Sequence, residues 1–497
     1  MGTRTGPARM ERRPRCGPRL ALPDGMTLRP ACAVFALALA LAPAGAGAKV
    51  TRKSVAKIWP AHSALALDAN GVPHLAYQSP DHRPYHAVLV GNKFASERVE
   101  NASDAGWDSA LGVDGQGHVH LAYHAERMSP SYAQRLVYAF SDGGPWQIEE
   151  VDDGGYATSL ALDAEDRAHL LYTDGSGNLS YAIQEDVGWE LHATGLTANW
   201  FRTTSLALDA DGHAHASYVR NGGLFGVEAY YATDASGDWE ETLLGTHGGQ
   251  LASLALDAGG KPWIALLTNE AVRLFHDDGM GFVEEPLLDF ASVLPGFTIG
   301  PDGVALALDA GGRPYVVATI FASSGARGTE LQLFLTDDGE GWVATLLGSK
   351  NEGFDPVLAV GADGAVEGIW RSGGESSAKL SYFAATFPDL AGAWSGVASG
   401  AGQVTATLTV ENQGSDKSKG APVALYLSDD AVLDGGDALL PAKLKVGGLA
   451  PDASRALSVA AAVTGPASGR YLIAVIDPGK TNPDLDRADN TVAALVP

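Results

Sequence analysis

TSLALDADGHAHASY, residues 204–218, is one of seven variants of a single phrase, and its recurrence decides the fold. The others are SALALDANGVPHLAY at 63–77, SALGVDGQGHVHLAY at 109–123, TSLALDAEDRAHLLY at 158–172, ASLALDAGGKPWIAL at 252–266, VALALDAGGRPYVVA at 304–318 and the divergent PVLAVGADGAVEGIW at 356–370. Aligned on the aspartate that closes LALD, the copies fall at Asp68, Asp114, Asp163, Asp209, Asp257 and Asp309, with Gly361 in the seventh slot, so the steps run from 46 to 52 residues. A period of this size fits one four-stranded blade of a β-propeller, whereas the coils of an open β-solenoid usually repeat at shorter intervals.

Each position of the phrase has a physical role. The aspartate can accept hydrogen bonds from the turn amides that follow it, and three residues later comes a glycine in six copies, with Asp166 as the exception. That is hairpin chemistry, because the turn needs a positive φ. Two residues before the aspartate stands Ala or Gly in every copy, flanked by Leu or Val, which suits an innermost strand crowded near an axis. A third run (LVYAF at 136, LSYAI at 179, AYYAT at 229, LQLFL at 331) and a fourth (WQIEEV at 146, WELHAT at 189, WEETLL at 239, FVEEPL at 282, WVATLL at 342) complete a blade without room for helices. The seventh copy has its third run at 380–387 and no fourth, while KSVAKIW at 53–59 precedes the first copy. The N-terminus is therefore expected to donate the missing strand and close the ring, removing an open edge.

The LALDxxGxPHxxY phrase, followed by YA, a turn and WxxExL, resembles the repeat of bacterial seven-bladed propellers of the BNR/sialidase-like kind. TDDGEGW at 336–342 and HDDGMGF at 276–282 keep the Asp-x-Gly-x-x-aromatic core of an Asp-box, with Leu335 and Phe275 where that motif has Ser or Thr. The resemblance bears on fold and carries no sialidase activity across.

After Pro388-Asp389-Leu390 the repeat stops and about 110 residues of alternating strands remain. The ENQG turn, YLSDD followed by LDGGDALL, and the closing DLDRADNT resemble the CARDB module, the cell adhesion related domain found in bacteria; composition alone gives only a β-sandwich. The expected architecture is all-β: a leader at 1–48, a seven-bladed β-propeller at 49–386 and an immunoglobulin-like β-sandwich at 387–497.

Charge and cysteine usage bound the compartment and the partners. Residues 1–48 carry a net +5 and the remainder −30, an acidic surface that repels nucleic acid and anionic membrane. The basic start runs into ACAVFALALALAPA at 31–44 and AGA before Lys49, which reads as a secretory signal with Met26 as the true start. Its apolar run is shorter than the ~20 residues a bilayer span needs. Both cysteines, Cys16 and Cys32, precede the proposed cut, so no thiol chemistry is expected afterwards. The reading is of an exported protein, secreted or held at the cell surface or in the periplasm, monomeric, with no membrane span once the signal is removed.

No nucleophile elbow, zinc-helix motif, phosphate loop or paired-cysteine motif occurs, so no catalytic residue is assigned. A glycosidase needs only two carboxylates on facing strands and leaves little trace of them in sequence. Histidine recurs six residues after the aspartate at His74, His120, His169 and His215, joined by His118 and His213 on the same strand faces. A metal pair and a repeated packing position both fit, and the packing reading is preferred because Trp263, Tyr315 and Glu367 fill the slot in other copies. No cofactor is assigned, calcium on the acidic loop Asp429, Asp430, Asp434 and Asp437 being the one candidate, against a solvated turn. The binding candidates come from geometry. Residues just before the inner strands ring the mouth of a propeller channel: His62, Trp107, Asp108, Tyr156, Trp200, Arg202, Gln250, Phe354 and Asp355. They vary between copies and mix aromatic with polar groups, a surface suited to a sugar ring or a peptide loop, although the aromatics also suit a core plug. The function expected is non-catalytic recognition or adhesion, with a glycan or extracellular protein as partner. The alternatives are a polysaccharide-active hydrolase or lyase, and a structural component of an envelope or matrix.

Overall fold

Each LALD aspartate folds back on the turn after it. In six copies its Oδ1 accepts two backbone N–H groups, from residues two and four further on; Asp68 takes those of Asn70 and Val72 at 2.8 Å, Asp114 those of Gln116 and His118 at 2.9 and 2.7 Å. The third residue after the aspartate lies in the left-handed region, with φ of 74° at Gly71, 86° at Gly117 and 64° at Asp166. In the seventh copy Gly361 has no carboxylate, and Asp363 accepts the Ala365 N–H at 3.0 Å instead.

The computed structural model describes residues 49–127, 132–199, 204–221, 227–245, 251–324, 327–349, 352–373 and 378–497; the expected leader lies outside them. Among these residues the hairpins build seven four-stranded antiparallel sheets, each with a LALD-type strand at one end. These strands (Ala64–Leu67, Ala105–Val113, Tyr156–Leu162, Ser205–Leu208, Leu251–Leu256, Thr298–Leu308 and Glu352–Val360) touch one another in sequence order, and the seventh returns to the first. The small residue two before the aspartate explains how they come so close: a Cβ on Gly112 would lie 2.8 Å from Leu160 of the next blade.

The seventh blade is completed by Lys49–Lys57, paired antiparallel with Lys379–Thr386 from Lys49 opposite Thr386 to Lys57 opposite Lys379. The donated strand thus begins four residues before the expected segment and ends before Trp59. Trp59 instead turns out of the sheet, its N–H bonded to the Gln78 carbonyl at 2.9 Å.

The recurrent histidines are hydrogen-bonded within their own blades. His120, His169 and His215 are buried, with Nδ1 at 2.7, 2.5 and 2.6 Å from the hydroxyls of Tyr138, Tyr181 and Tyr231 and Nε2 at 3.5, 3.2 and 3.4 Å from the aspartates of their own turns. His74 meets His86 at 3.0 Å, and Tyr315 reaches Asp309 directly at 3.1 Å. In blade seven the slot holds Glu367, whose carboxyl is pushed up to about 7 by burial against the opposing pull of a hydrogen bond from Tyr382. Its folded-state pKa stands above its unfolded value, so this group makes stability fall as pH rises from about 4.5 toward about 7. Glu367→Gln is expected to flatten that part of the profile and to be the more stable chain at pH 8. Urea unfolding at pH 5 and pH 8 checks this, and an unchanged slope would assign it to other groups.

The remaining strands form two facing sheets. Leu390–Gly400, Gln403–Asn412 and Ser454–Ala462 make one; Ala421–Ser428, Tyr471–Ile476 and Thr491–Leu495, with short edge pieces, make the other. Alternating residues such as Leu408, Val410, Leu425, Leu472 and Ile476 fill the space between them. Asn412 of the ENQG turn is fully buried and fully used: Nδ2 donates to the carbonyls of Asp416 and Leu449, and Oδ1 accepts the N–H groups of Asp389 and Gly414.

This sandwich docks on blade six. Arg313 donates to Asp486 at 2.5 Å and to the Leu485 carbonyl, Arg487 pairs with Asp338 at 3.2 Å, and Lys480 pairs with Glu340. Asp338 and Glu340 belong to the Asp-box-like turn TDDGEGW. That turn and the Asp309–Arg313 hairpin lie at the end of blade six remote from Gly303, so the sandwich occupies the face of the ring opposite the starts of the inner strands.

Candidate functional site

The residue six before each LALD aspartate stands at the head of its inner strand, and three of these converge on the axis. His62 Nδ1 donates to Asp108 Oδ1 at 2.6 Å, and its Nε2 lies 3.5 Å from Asp355. Asp108 Oδ2 accepts the Ala157 N–H at 3.1 Å, and Asp355 accepts from Arg371 Nε at 3.0 Å. The backbone makes this arrangement through bulges. Asp108, Ala157 and Asp355 have φ of 47°, 49° and 49° where the ladder loses register, and in the first two the next residue's hydroxyl ties the bulge down: Ser109 to the Gly106 carbonyl at 3.1 Å, Thr158 to that of Gly155 at 2.6 Å.

Burial disfavours a charged His62, but the Asp355 charge and the hydrogen bond and charge of Asp108 outweigh it and push the imidazole up to about 9. Burial likewise opposes the charged form of Asp108, and the His62 hydrogen bond and charge with the Ala157 N–H hold it below its ordinary range. At neutral pH the mouth therefore holds a protonated imidazole between two carboxylates. The His62 side chain remains 33% exposed, so the cluster is open to a ligand.

Below it lies a cavity of about 280 Å3 lined by all seven inner strands. Its wall carries the hydroxyl residues Ser63, Ser109, Thr158 and Thr204 in four blades, with Ala252, Val304 and Pro356 at the same position in the others, and beyond them runs a ring of Leu65, Leu111, Leu160, Leu206, Leu254, Leu306 and Leu358. Charge, then hydroxyl, then hydrocarbon follow one another down the axis because successive positions of the repeat stack in tiers.

The other expected mouth residues fare differently. Phe354 lies under the Arg371 guanidinium, 4.7 Å from ring centre to carbon, and so supports the Asp355 pair. Trp107 packs edge-on against Trp59 and His82, with centroids at 6.4 and 6.2 Å, and its indole N–H is buried without a hydrogen-bond partner. Tyr156 stacks on His124 at 4.1 Å and accepts from Gln134. Trp200, Arg202 and Gln250 lie outside the described residues. Sequence reasoning missed Arg371, Trp59 and His82; the one available signal was for Arg371, which pairs with Phe354 across the hairpin.

In the acidic loop weighed between calcium and a solvated turn, the aspartates bond to turn amides and to Arg470. Asp430 and Asp434 accept the N–H groups of Val432 and Gly436, Asp437 accepts that of Asp434, and Asp429 pairs with Arg470 at 2.6 Å. One oxygen of each of Asp430, Asp434 and Asp437 is thus taken by a turn amide. Among the described residues, the groups whose ligand atoms lie within 4.8 Å of one another are Asp209, Asp211 and His213, and Asp389, Asp484 and Asp489. In the first, Asp209 is already spent on its own turn.

No helix among the described residues is long and apolar enough to cross a membrane. No curated protein matches the chain. Similar solved structures include a polysaccharide lyase of family PL25, an ulvan lyase bound to -[GlcA(1-4)Rha3S]-, at 13% identity over 68% of this chain and 94% of that one, TM-score 0.44. An α-L-arabinanase of Penicillium chrysogenum with arabinobiose aligns at 13% identity over 67% and 98%, TM-score 0.38, and a lectin of Aleuria aurantia with Fucalpha1-6GlcNAc at 10% over 68% and 94%, TM-score 0.36. Beyond the ring, the CARDB family model matches residues 388–494, and this part of the chain is a CARDB domain.

Proposed function

We propose that the chain is an exported, non-catalytic recognition protein whose propeller holds a glycan at the channel mouth, with the CARDB domain as spacer or docking element on the opposite face. The observation that carries this reading is the tiered cavity: carboxylates and an imidazolium at the rim, hydroxyls on part of the wall and a ring of leucines. Carboxylates accept sugar hydroxyls, and the half-buried Trp59, His82 and Trp107 beside them offer ring faces for stacking.

Two carboxylates flanking one imidazole are also the material of a hydrolase or lyase. Against its burial, the His62 contact holds Asp108 below its ordinary range, which suits it to accept hydrogen bonds from sugar hydroxyls.

A glycan array probed with the chain from Lys49 tests the proposal. A selective hit that disappears in Asp355→Asn and Trp107→Ala, with Asp355→Asn melting within about 2 °C of the parent, supports it. A blank array removes the glycan reading in favour of a protein ligand or a scaffold. Turnover of a captured polysaccharide, lost with Asp108→Asn, would replace recognition with catalysis.

A further inference from the structure

We propose that the cavity under the channel mouth selects a neutral sugar residue bearing a methyl group, as a 6-deoxy or an N-acetyl substituent, and rejects uronic and sulfated sugars. This rests on the glycan reading above and names what the site takes. The cavity has two unlike sides. At the two positions between the rim and the leucine ring, blades six and seven bring only hydrocarbon, Val304 and Ala305, Pro356 and Val357, whereas blade three brings Thr158 and Ser159. Half a turn of a seven-membered ring from blade three falls between blades six and seven, so hydroxyls and hydrocarbon face each other across the axis. The repeat itself does not require this difference. The leucine three before the aspartate slot stands in all seven copies, while the two positions ahead of it divide by side.

Much of the hydroxyl side accepts rather than donates. Thr158 gives its proton to the Gly155 carbonyl and Thr204 to that of Ala157, both at 2.6 Å, and Ser159 lies 2.7 Å from the Thr204 hydroxyl. Ser109 donates to the Gly106 carbonyl at 3.1 Å. Their oxygens keep acceptor lone pairs, and Asp108 and Asp355 at the rim are acceptors as well. Sugar hydroxyls and amide N–H groups donate to such a surface. Carboxylate and sulfate groups bring acceptors only and meet like charge. The cations near the rim are already held by its carboxylates, His62 by Asp108 and Arg371 by Asp355, and among the described residues the cavity lining carries no lysine or arginine.

On the other side, a ligand hydroxyl turned toward Val304, Ala305, Pro356 and Val357 finds no side-chain partner, and giving up water without a replacement bond is costly. A methyl group in the same place leaves water for hydrocarbon. At about 280 Å3 the cavity lies just below the roughly 300–1,000 Å3 of sites that bury drug-sized ligands, which suits the end residue of a glycan chain.

The test is a saturation-transfer NMR titration of the chain from Lys49 with matched methyl glycosides: the α-L-rhamnoside against the α-L-mannoside, the α-L-fucoside against the α-L-galactoside, and the N-acetyl-β-D-glucosaminide against the β-D-glucoside, with the β-D-glucuronide alongside. In at least one pair the methyl-bearing member is expected to bind about tenfold more tightly, and the pair that separates identifies the substituent. The glucuronide is expected not to bind. Val304→Thr, which sets a hydroxyl into the apolar side at nearly constant volume, is expected to erase most of that ratio, and Ser205→Ala, on the hydroxyl side, to weaken both members of the pair alike. The ratio in the parent chain decides if Val304→Thr does not fold. Equal binding within every pair, tighter binding of the hydroxyl-bearing members, or a glucuronide bound as tightly as the glucoside overturns the inference and leaves the glycan reading standing. If no methyl glycoside binds, the end residues of the glycans captured on an array are judged by the same criteria; a blank array as well removes the glycan reading and this inference together.

Discussion

A chain that starts at Ile58 is expected to lose its cooperative unfolding transition. Removing residues 49–57 takes eight cross-strand pairs from blade seven and bares Lys379–Thr386 as an open edge. At about 0.2–1 kcal/mol per pair the ladder alone is worth on the order of 5 kcal/mol, a large part of what a domain possesses. Packing adds to this: Val55 and Ala56 cover Tyr382, Val50 packs with the Trp370 and Phe383 cluster, and Arg52 lies 5.5 Å over the Trp370 ring. A circular dichroism melt reads the outcome, and the separate peptide 49–57 added in excess is expected to restore part of the transition. A truncated chain melting within about 2 °C of the parent would show that the ring does not depend on this strand.

Gly414→Ala is expected to be the most damaging single substitution in the CARDB domain. A Cβ there would lie 2.3 Å from the Phe387 carbonyl oxygen, 2.6 Å from the Asp389 nitrogen and 2.7 Å from the Pro388 carbonyl carbon. All three are backbone atoms of the linker, so no side chain can swing aside. Relief requires moving the linker off Asn412, whose Oδ1 holds the Asp389 N–H at 2.9 Å, and that strands buried polar groups. Overpacking and the lost bond together cost about 3 kcal/mol. Guanidinium unfolding should show the domain's transition shifted to lower denaturant, and limited proteolysis should cut near residue 388. Wild-type behaviour in both would mean that the linker has slack.

Much of the ring was legible because its determinants are local. An aspartate, a glycine three residues later and a small residue two before suffice to write a hairpin and its distance from the axis, and the leucine ring is the same position read seven times. The heads of the inner strands followed from counting back along a strand, which is why His62, Asp108 and Asp355 meet. Trp107 and Tyr156 stand one residue earlier, beside the bulges, and pack among neighbours instead. Partners from elsewhere were not legible. Trp59 and His82 reach the site from a strand end and a loop, and spacing along the chain keeps no record of which loops meet; only Arg371, opposite Phe354 in its hairpin, had a local signal. The closing strand was misplaced at its start because Lys49–Lys53 is mostly polar, as an outer edge strand is allowed to be. Clustered aspartates are as useful to turns as to ions, so the acidic loop admits both readings in sequence.

The CARDB domain grips blade six at the end away from Gly303, and this gives the molecule a polarity. At about 3.3 Å per residue, the stretch from Gly303 to Asp309 holds the rim of the cup roughly 20 Å from the stem. A partner that seizes the stem presents the cup outward, toward whatever approaches, and leaves little chance of bending back onto its own support. Such a geometry favours capture in trans, between one surface and another, over capture of neighbours in cis.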